Sequence, residues 1–341
     1  MAEYQIDNDA SIVVFDLSTP HSWICSDDDG NYWTIFHNTS NYVEIHKSED
    51  DGATWSHKKT LTESDFSSGM SFPMSSIQIV NLKGQDKVYI TLIKNDDIWG
   101  WLINTSTDIG QKDLDNESLS IATACKIEVR WDSFNSKLKI GYGRTDDEIV
   151  YLKTINLSGG FSDESTGSVH HGGNRGYSYC IDSSGNIFYN GMAISAGSYN
   201  LVKKFGTGTY KTLGIGNQEY DFTNLVCDHN NKIIVGCVYS NYLHIFRITN
   251  DLSTIEINNA NYNLGFTPSS CFVTVDGSNN IYFVYTNPSD DEAYSIKYDV
   301  DSSSWDSPLK ISSDANGILV TPELRPSIDS DKILVTYQSN S

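Results

Sequence analysis

The chain has 341 residues, with 23 basic against 44 acidic side chains and a formal charge of −21; apolar residues make up 38 % and aromatics 12 %, including 20 Tyr. So acidic a field repels phosphate, which argues against nucleic-acid and anionic-membrane partners and slows the approach of polyanionic glycans. No run of 18 apolar residues occurs, so no membrane-inserted helix is expected. Few aliphatics, many Tyr and only 7 Pro suit strands that are half exposed to water.

The opening Met1-Ala2-Glu3-Tyr4-Gln5-Ile6 has neither a basic segment nor an apolar core, and is read as lacking a secretory signal. The six cysteines, Cys25, Cys125, Cys180, Cys227, Cys237 and Cys271, are scattered and form no CxxC pair. They are read as free, small apolar residues of a protein made in the cytosol, with neither a disulfide framework nor a cofactor.

One pattern recurs along the chain: a short apolar run, a polar turn opening on Asp, then an alternating run. It first appears at Ile24-Cys25-Ser26-Asp27-Asp28-Asp29-Gly30-Asn31-Tyr32-Trp33 and returns around Asn81, Asp132, Asp182, Asp228, Asp276 and Asp329. Counted from Asp28, the steps are 53, 51, 50, 46, 48 and 53 residues. Asp can bond the backbone two residues on, and Gly or Asn then takes the left-handed position. Alternating runs such as Tyr32–His37 and Tyr42–Lys47 are strands. A period near fifty with four strands per unit predicts a β-propeller.

The expectation is an all-β fold, one domain over 1–341, with seven blades of four antiparallel strands. The blades fall at about 22–62, 74–110, 124–163, 176–212, 222–258 and 268–312, with the seventh built from 324–341 plus 3–16. Strands from both ends of the chain would then close the ring and remove free edges.

Ser48-Glu49-Asp50-Asp51-Gly52-Ala53-Thr54-Trp55 matches the Asp-box, S-x-D-x-G-x-x-W, and so resembles sialidase-like (BNR-repeat) propellers. A shorter version, Asp301-Ser302-Ser303-Ser304-Trp305, falls in the equivalent hairpin of the sixth blade. The resemblance implies a fold and a structural turn on the outer rim, formed by Ser48, Asp50, Gly52 and Trp55; it does not imply an activity. A sialidase would need an arginine triad, and the five arginines here lack the usual early Arg-Ile-Pro motif; the nearest segment is Leu324-Arg325-Pro326.

The densest chemically able segment is His170-His171-Gly172-Gly173-Asn174-Arg175-Gly176-Tyr177. His171 as base, Tyr177 as acid, and Arg175 with Arg325 on a uronate would suit β-elimination. Seven-bladed polysaccharide lyases are similar in residue types. Read without catalysis, the segment is a polar glycine-rich loop. Aromatic faces stack on sugars, so Trp99, Trp101, Tyr199 and Tyr220 join His170, His171, Arg175, Tyr177 and Arg325 as ligand-binding candidates. Asp27, Asp28 and Asp29 superficially resemble a calcium loop but lack its twelve-residue spacing.

The first expectation for function is a non-catalytic recognition propeller that binds a surface glycan or a protein partner. The composition resembles bacteriophage virion proteins, which implies a fibre, decoration or receptor-binding part at the virion surface. The alternatives are a glycan-active enzyme, lyase-like or sialidase-like, and a purely structural scaffold.

Overall fold

The repeated turn folds as its residues dictate. In blade 1, Asp27 Oδ1 accepts the backbone N–H groups of Asp29 (3.1 Å) and Asn31 (2.9 Å). The same pair of bonds recurs at Asp182, Asp228 and Asp276, each time to the residues two and four positions on. The chain reverses through a left-handed residue, Gly30 (φ 84°), Gly185 (φ 74°), Asn231 (φ 57°) or Asn279 (φ 68°). Each turn joins the first two strands of a blade.

The computed structural model describes residues 23–339 except 67–69, 75, 95–96, 119–123, 145–149, 158–159, 165–177, 194–198, 214–221, 269, 291, 312–316 and 325–332. Over these residues the chain is an all-β propeller of antiparallel blades. Blade 1 runs Ile24–Ser26, Tyr32–His37, Val43–Ser48, Ser56–Leu61 from inner to outer strand, and blade 2 runs Ser76–Asn81, Lys87–Lys94, Asp97–Asn104, Ile109–Ser118. Blade 3 is Ala124–Asp132, Lys137–Arg144, Val150–Ile155, Phe161–Glu164; blade 4 is Tyr179–Ile181, Ile187–Ala193, Tyr199–Lys204, Tyr210–Thr212. Blade 5 is Phe222–Cys227, Ile233–Tyr239, Tyr242–Ile248, Ile255–Asn263. In blade 6, Ser270–Val275, Ile281–Asn287 and Glu292–Asp299 are followed by an outer strand split into Ser304–Trp305 and Leu309–Lys310, both paired to Glu292–Asp299.

Among the described residues, six four-stranded blades stand where the repeat predicts seven. There the last copy forms a two-stranded sheet, Gly317–Leu324 with Ile333–Ser339. Its first strand ends at Leu324, where the expectation placed the start of the inner strand, and Asp329 lies outside the described residues. Residues 3–16, proposed to complete that blade, lie outside the described residues.

The core is distributed among the seams between blades. Trp33, Ile35 and Ile45 of blade 1 meet Ile77, Ile79 and Trp99 of blade 2. Comparable buried clusters fill the seams between blades 2 and 3, 3 and 4, 4 and 5, and 5 and 6. Successive residues of a strand therefore serve opposite seams, which is why the middle strands are buried on both faces. Spacing is tight: a Cβ added at Gly236 of blade 5 would lie 2.7 Å from Val273 Cβ of blade 6.

The inner turns also link to one another. Asp28 accepts from Gly84 N (2.7 Å) of blade 2, Trp131 Nε1 of blade 3 donates to Lys83 O (3.1 Å), Ser183 N donates to Asn231 Oδ1 (2.9 Å), and His229 N to Asn279 Oδ1 (2.8 Å). These bonds tie neighbouring turns on one face of the ring. On the outer rim, Ser48 Oγ donates to Asp50 Oδ1 (2.9 Å) and accepts from Gly52 N (2.9 Å), while Asp50 accepts from Thr54 N and Oγ1 (2.8 and 2.6 Å). Trp55 is half-buried beside this turn.

Buried His37 ends the second strand of blade 1, its Nδ1–H donating to Asn41 O at 2.8 Å. Burial lowers its pKa to about 4, against a smaller opposing effect of that hydrogen bond. Between pH 4 and 6.5 the unfolded state binds the extra proton, so this stability is complete above about 6.5 and is lost as pH falls toward 4. The shift corresponds to about 3 kcal/mol. Urea unfolding at pH 7 and pH 4.5 is expected to show a smaller acid loss in His37→Gln than in the parent protein. An identical loss in both would contradict this assignment.

Candidate functional site

Two places gather polar and aromatic side chains. The first lines the axis. Four residues before the turn position, blades 3 and 5 carry Glu128 and Asn224, and blade 2 carries Gln78 three residues before Asn81; each reaches the inner strand of the next blade. Gln78 Nε2 donates to Ile127 O (2.6 Å) and its Oε1 accepts from Val129 N (2.9 Å). Glu128 Oε2 accepts from Ser178 Oγ (3.2 Å) and Tyr179 N (3.3 Å); Asn224 Nδ2 donates to Cys271 O (3.2 Å). Arg130 pairs with Glu128, lies over the Tyr179 ring and extends NH2 to Leu225 O of blade 5 at 3.4 Å. Burial, then the Glu128 charge, pushes the Tyr179 phenol well above its usual range, so it remains a donor, to Lys139 O (3.0 Å) and Glu128 O (3.3 Å). The polar capacity of this ring is spent mainly on joining blades.

The second place is the outer part of the seam between blades 5 and 6, where the connections between blades fall. Tyr285 stacks on Tyr294 with ring centroids 5.8 Å apart and 14° between planes, and Phe266 meets Tyr285 at 6.1 Å. Tyr262, from the outer strand of blade 5, packs on Trp305 at 5.6 Å. Tyr285 is buried as the floor, whereas Tyr262, Phe266, Tyr294 and Trp305 are half-buried and keep part of their rings in water.

The segment carrying Phe266 is pinned at three points. Leu264 N donates to Asn241 O (2.8 Å), Gly265 N to Asn263 Oδ1 (2.8 Å), and Thr267 Oγ1 to Ser240 O (2.9 Å). Asp290 accepts from the Tyr294 hydroxyl at 2.8 Å, and this bond raises the Tyr294 pKa. Behind it, buried Glu292 pairs with Lys310 at 2.7 Å. Aromatic faces with oriented hydroxyl and carboxylate groups at their edge can stack on the CH face of a sugar and bond its hydroxyls.

Of the residues singled out from sequence, Trp99 and Trp101 lie in the core between blades 1 and 2, 1 % and 8 % exposed, and are not at the surface. His170, His171, Arg175, Tyr177, Tyr220 and Arg325 lie outside the described residues, and so does the Tyr199 side chain. Asp27 spends its carboxylate on its own turn and on Trp33 Nε1 (2.9 Å), while Asp28 serves the neighbouring turn. Among the described residues no group of three or more His, Cys, Asp or Glu could hold a metal ion. No helix among them is long and apolar enough to cross a membrane. The axial Gln78, Glu128 and Asn224 were missed, although their place three or four residues before the repeated turn is visible in the sequence.

No protein-family model matches the chain, and no curated protein matches its sequence. Solved structures do match. An α-L-arabinofuranosidase from Fusarium graminearum superposes with a TM-score of 0.55 at 12 % identity, covering 86 % of this chain and 97 % of that one. An α-L-arabinanase from Penicillium chrysogenum gives 0.51 at 13 %, covering 83 % and 92 %. The fucose-specific lectin of Aleuria aurantia gives 0.56 at 8 %, covering 86 % and 96 %. The likeness is of fold alone.

One expectation is corrected. Membership of the Asp-box, sialidase-like, seven-bladed family is not upheld: no family model matches, six four-stranded blades are described, and the neighbours named above are arabinan-acting enzymes and a fucose lectin. The Ser48–Trp55 turn forms its expected hydrogen bonds without carrying that kinship. The named neighbours lend the virion placement no support.

Proposed function

We propose that this protein binds a neutral carbohydrate, with the sugar lying on Phe266, Tyr294 and Tyr262 between blades 5 and 6. The observation that carries the reading is the half-buried aromatic group over the Tyr285 floor, with Asp290 fixed at its edge. The overall charge of −21 disfavours sialosides and uronates at an edge that already carries Asp290. The neighbours support a carbohydrate role in general, because an arabinofuranosidase, an arabinanase and a fucose lectin share the fold.

A second reading, glycoside hydrolysis, is favoured by the arabinan-acting neighbours more than the non-catalytic expectation allowed. Hydrolysis ordinarily needs two carboxyl groups flanking the scissile bond. Glu128 is a buried carboxylate at the axis, but it is engaged by Arg130, Ser178 and Tyr179. Binding is therefore the better fit to the described residues. The test is a panel of arabinans, arabinofuranosides, fucosides and sialosides, scored for retention on immobilised protein and for release of reducing ends. Retention of a neutral glycan without release is the expected result. Release would establish the hydrolase reading, and neither retention nor release would overturn both.

A further inference from the structure

Two of the five described cysteines face each other. Cys180 and Cys227 lie on the innermost strands of blades 4 and 5, with their Sγ atoms 3.0 Å apart. The register explains the meeting. Cys180 stands two residues before its turn Asp and points into the seam toward blade 5, where it packs with Leu225, Ile233 and Val235. Cys227 stands one residue before its turn Asp, so it points the opposite way, back toward blade 4. An offset of one residue between adjacent blades thus sets two thiols against each other across a seam. Cys180 is buried and Cys227 half-buried, so only one of the two is open to a reagent.

We propose that Cys180 and Cys227 are a dithiol modification site, oxidised by a low-molecular-weight disulfide to a covalent link between blades 4 and 5. The Cys227 thiolate attacks the reagent disulfide, whose S–S bond breaks; one reagent thiol leaves with the proton that Cys227 gave up. The Cys180 thiolate then attacks Cys227 Sγ in the mixed disulfide and expels the second reagent thiol. The protein loses two protons and two electrons, and the reagent disulfide takes them up to become two thiols. Burial, followed by the adjacent Cys227, raises the Cys180 thiol well above its usual range, while the Arg130 guanidinium opposes this. The second step should therefore quicken as the solution is made more alkaline. The link closes the inner strands beside the contact of Arg130 with Leu225 O, so it would stiffen the axial ring described above.

The test incubates the full-length protein with oxidised glutathione at alkaline pH, followed by intact mass and a non-reducing peptide map. A urea-denatured sample confirms that the reagent oxidises accessible thiols. The expected result is loss of two hydrogens, a cross-linked peptide pair containing positions 180 and 227, and a raised unfolding temperature that dithiothreitol reverses. In Cys180→Ser the product should stop at a glutathione adduct on Cys227, and Cys227→Ser should give no cross-link. A persistent adduct in the parent protein, a link through Cys25, Cys237 or Cys271, or no reaction in the folded protein would each overturn the proposal.

Discussion

Replacing Trp33 by alanine is expected to destabilise the fold by about 3–5 kcal/mol. The side chain is fully buried in the seam between blades 1 and 2, against Ile35, Ile45, Ile77 and Trp99. Truncation would leave a cavity that strands paired on both sides cannot close. Its indole Nε1 also donates to Asp27 Oδ2 at 2.9 Å, and Asp27 organises the first inner turn. Trp33→Phe keeps most of the burial and loses only that donor, for about 1 kcal/mol, because Asp27 retains its backbone partners. Urea denaturation with m-values checked for constancy separates the two variants. A cost for Trp33→Ala no larger than that for Trp33→Phe would contradict the packing described.

Arg247→Ala is the second large effect, about 3–5 kcal/mol. The Asp228 side chain is wholly buried, and Arg247 Nε and NH2 both donate to its Oδ2, at 2.9 and 2.7 Å. Arg247 NH1 continues to Glu256 at 3.0 Å. Removing the guanidinium leaves a buried carboxylate with its backbone donors but without a counter-charge. Adding Asp228→Asn to Arg247→Ala removes that charge while keeping an oxygen for Asn230 and Lys232. The double variant should therefore regain at least half of the loss in a thermodynamic cycle. Simple addition of the two costs would contradict coupling of the pair.

The repeat was legible because its turn chemistry is local. Asp bonding two and four residues on, with Gly or Asn in the left-handed region, can be read from the copies at Asp27, Asp182, Asp228 and Asp276. Blade number was less legible, because counting turns is not counting strands. The Asp329 copy has the turn's residues in sequence, yet among the described residues its sheet consists of Gly317–Leu324 and Ile333–Ser339.

Exposure was the hardest property to infer. Trp99 and Trp101 alternate like residues of a half-wet strand, but a middle strand of a propeller has a neighbouring blade on each face. The aromatic group depends on which face of blade 6 turns Tyr285 and Trp305 toward Phe266 and Tyr262 of the preceding segment, contacts that periodicity does not reveal. The Cys180–Cys227 contact depends on the same alternation, read in two blades at once.

The claim that a neutral glycan lies between blades 5 and 6 is tested most directly by titrating arabinofuranose- and fucose-terminated oligosaccharides into the parent protein, Phe266→Ala and Tyr294→Ala by calorimetry. The expected result is saturable binding by the parent protein of at least one such glycan. Both variants should bind it at least about tenfold more weakly, as loss of an aromatic anchor implies, with unfolding temperatures close to the parent's. Undiminished affinity in both variants, or no binding by the parent protein, would contradict the account.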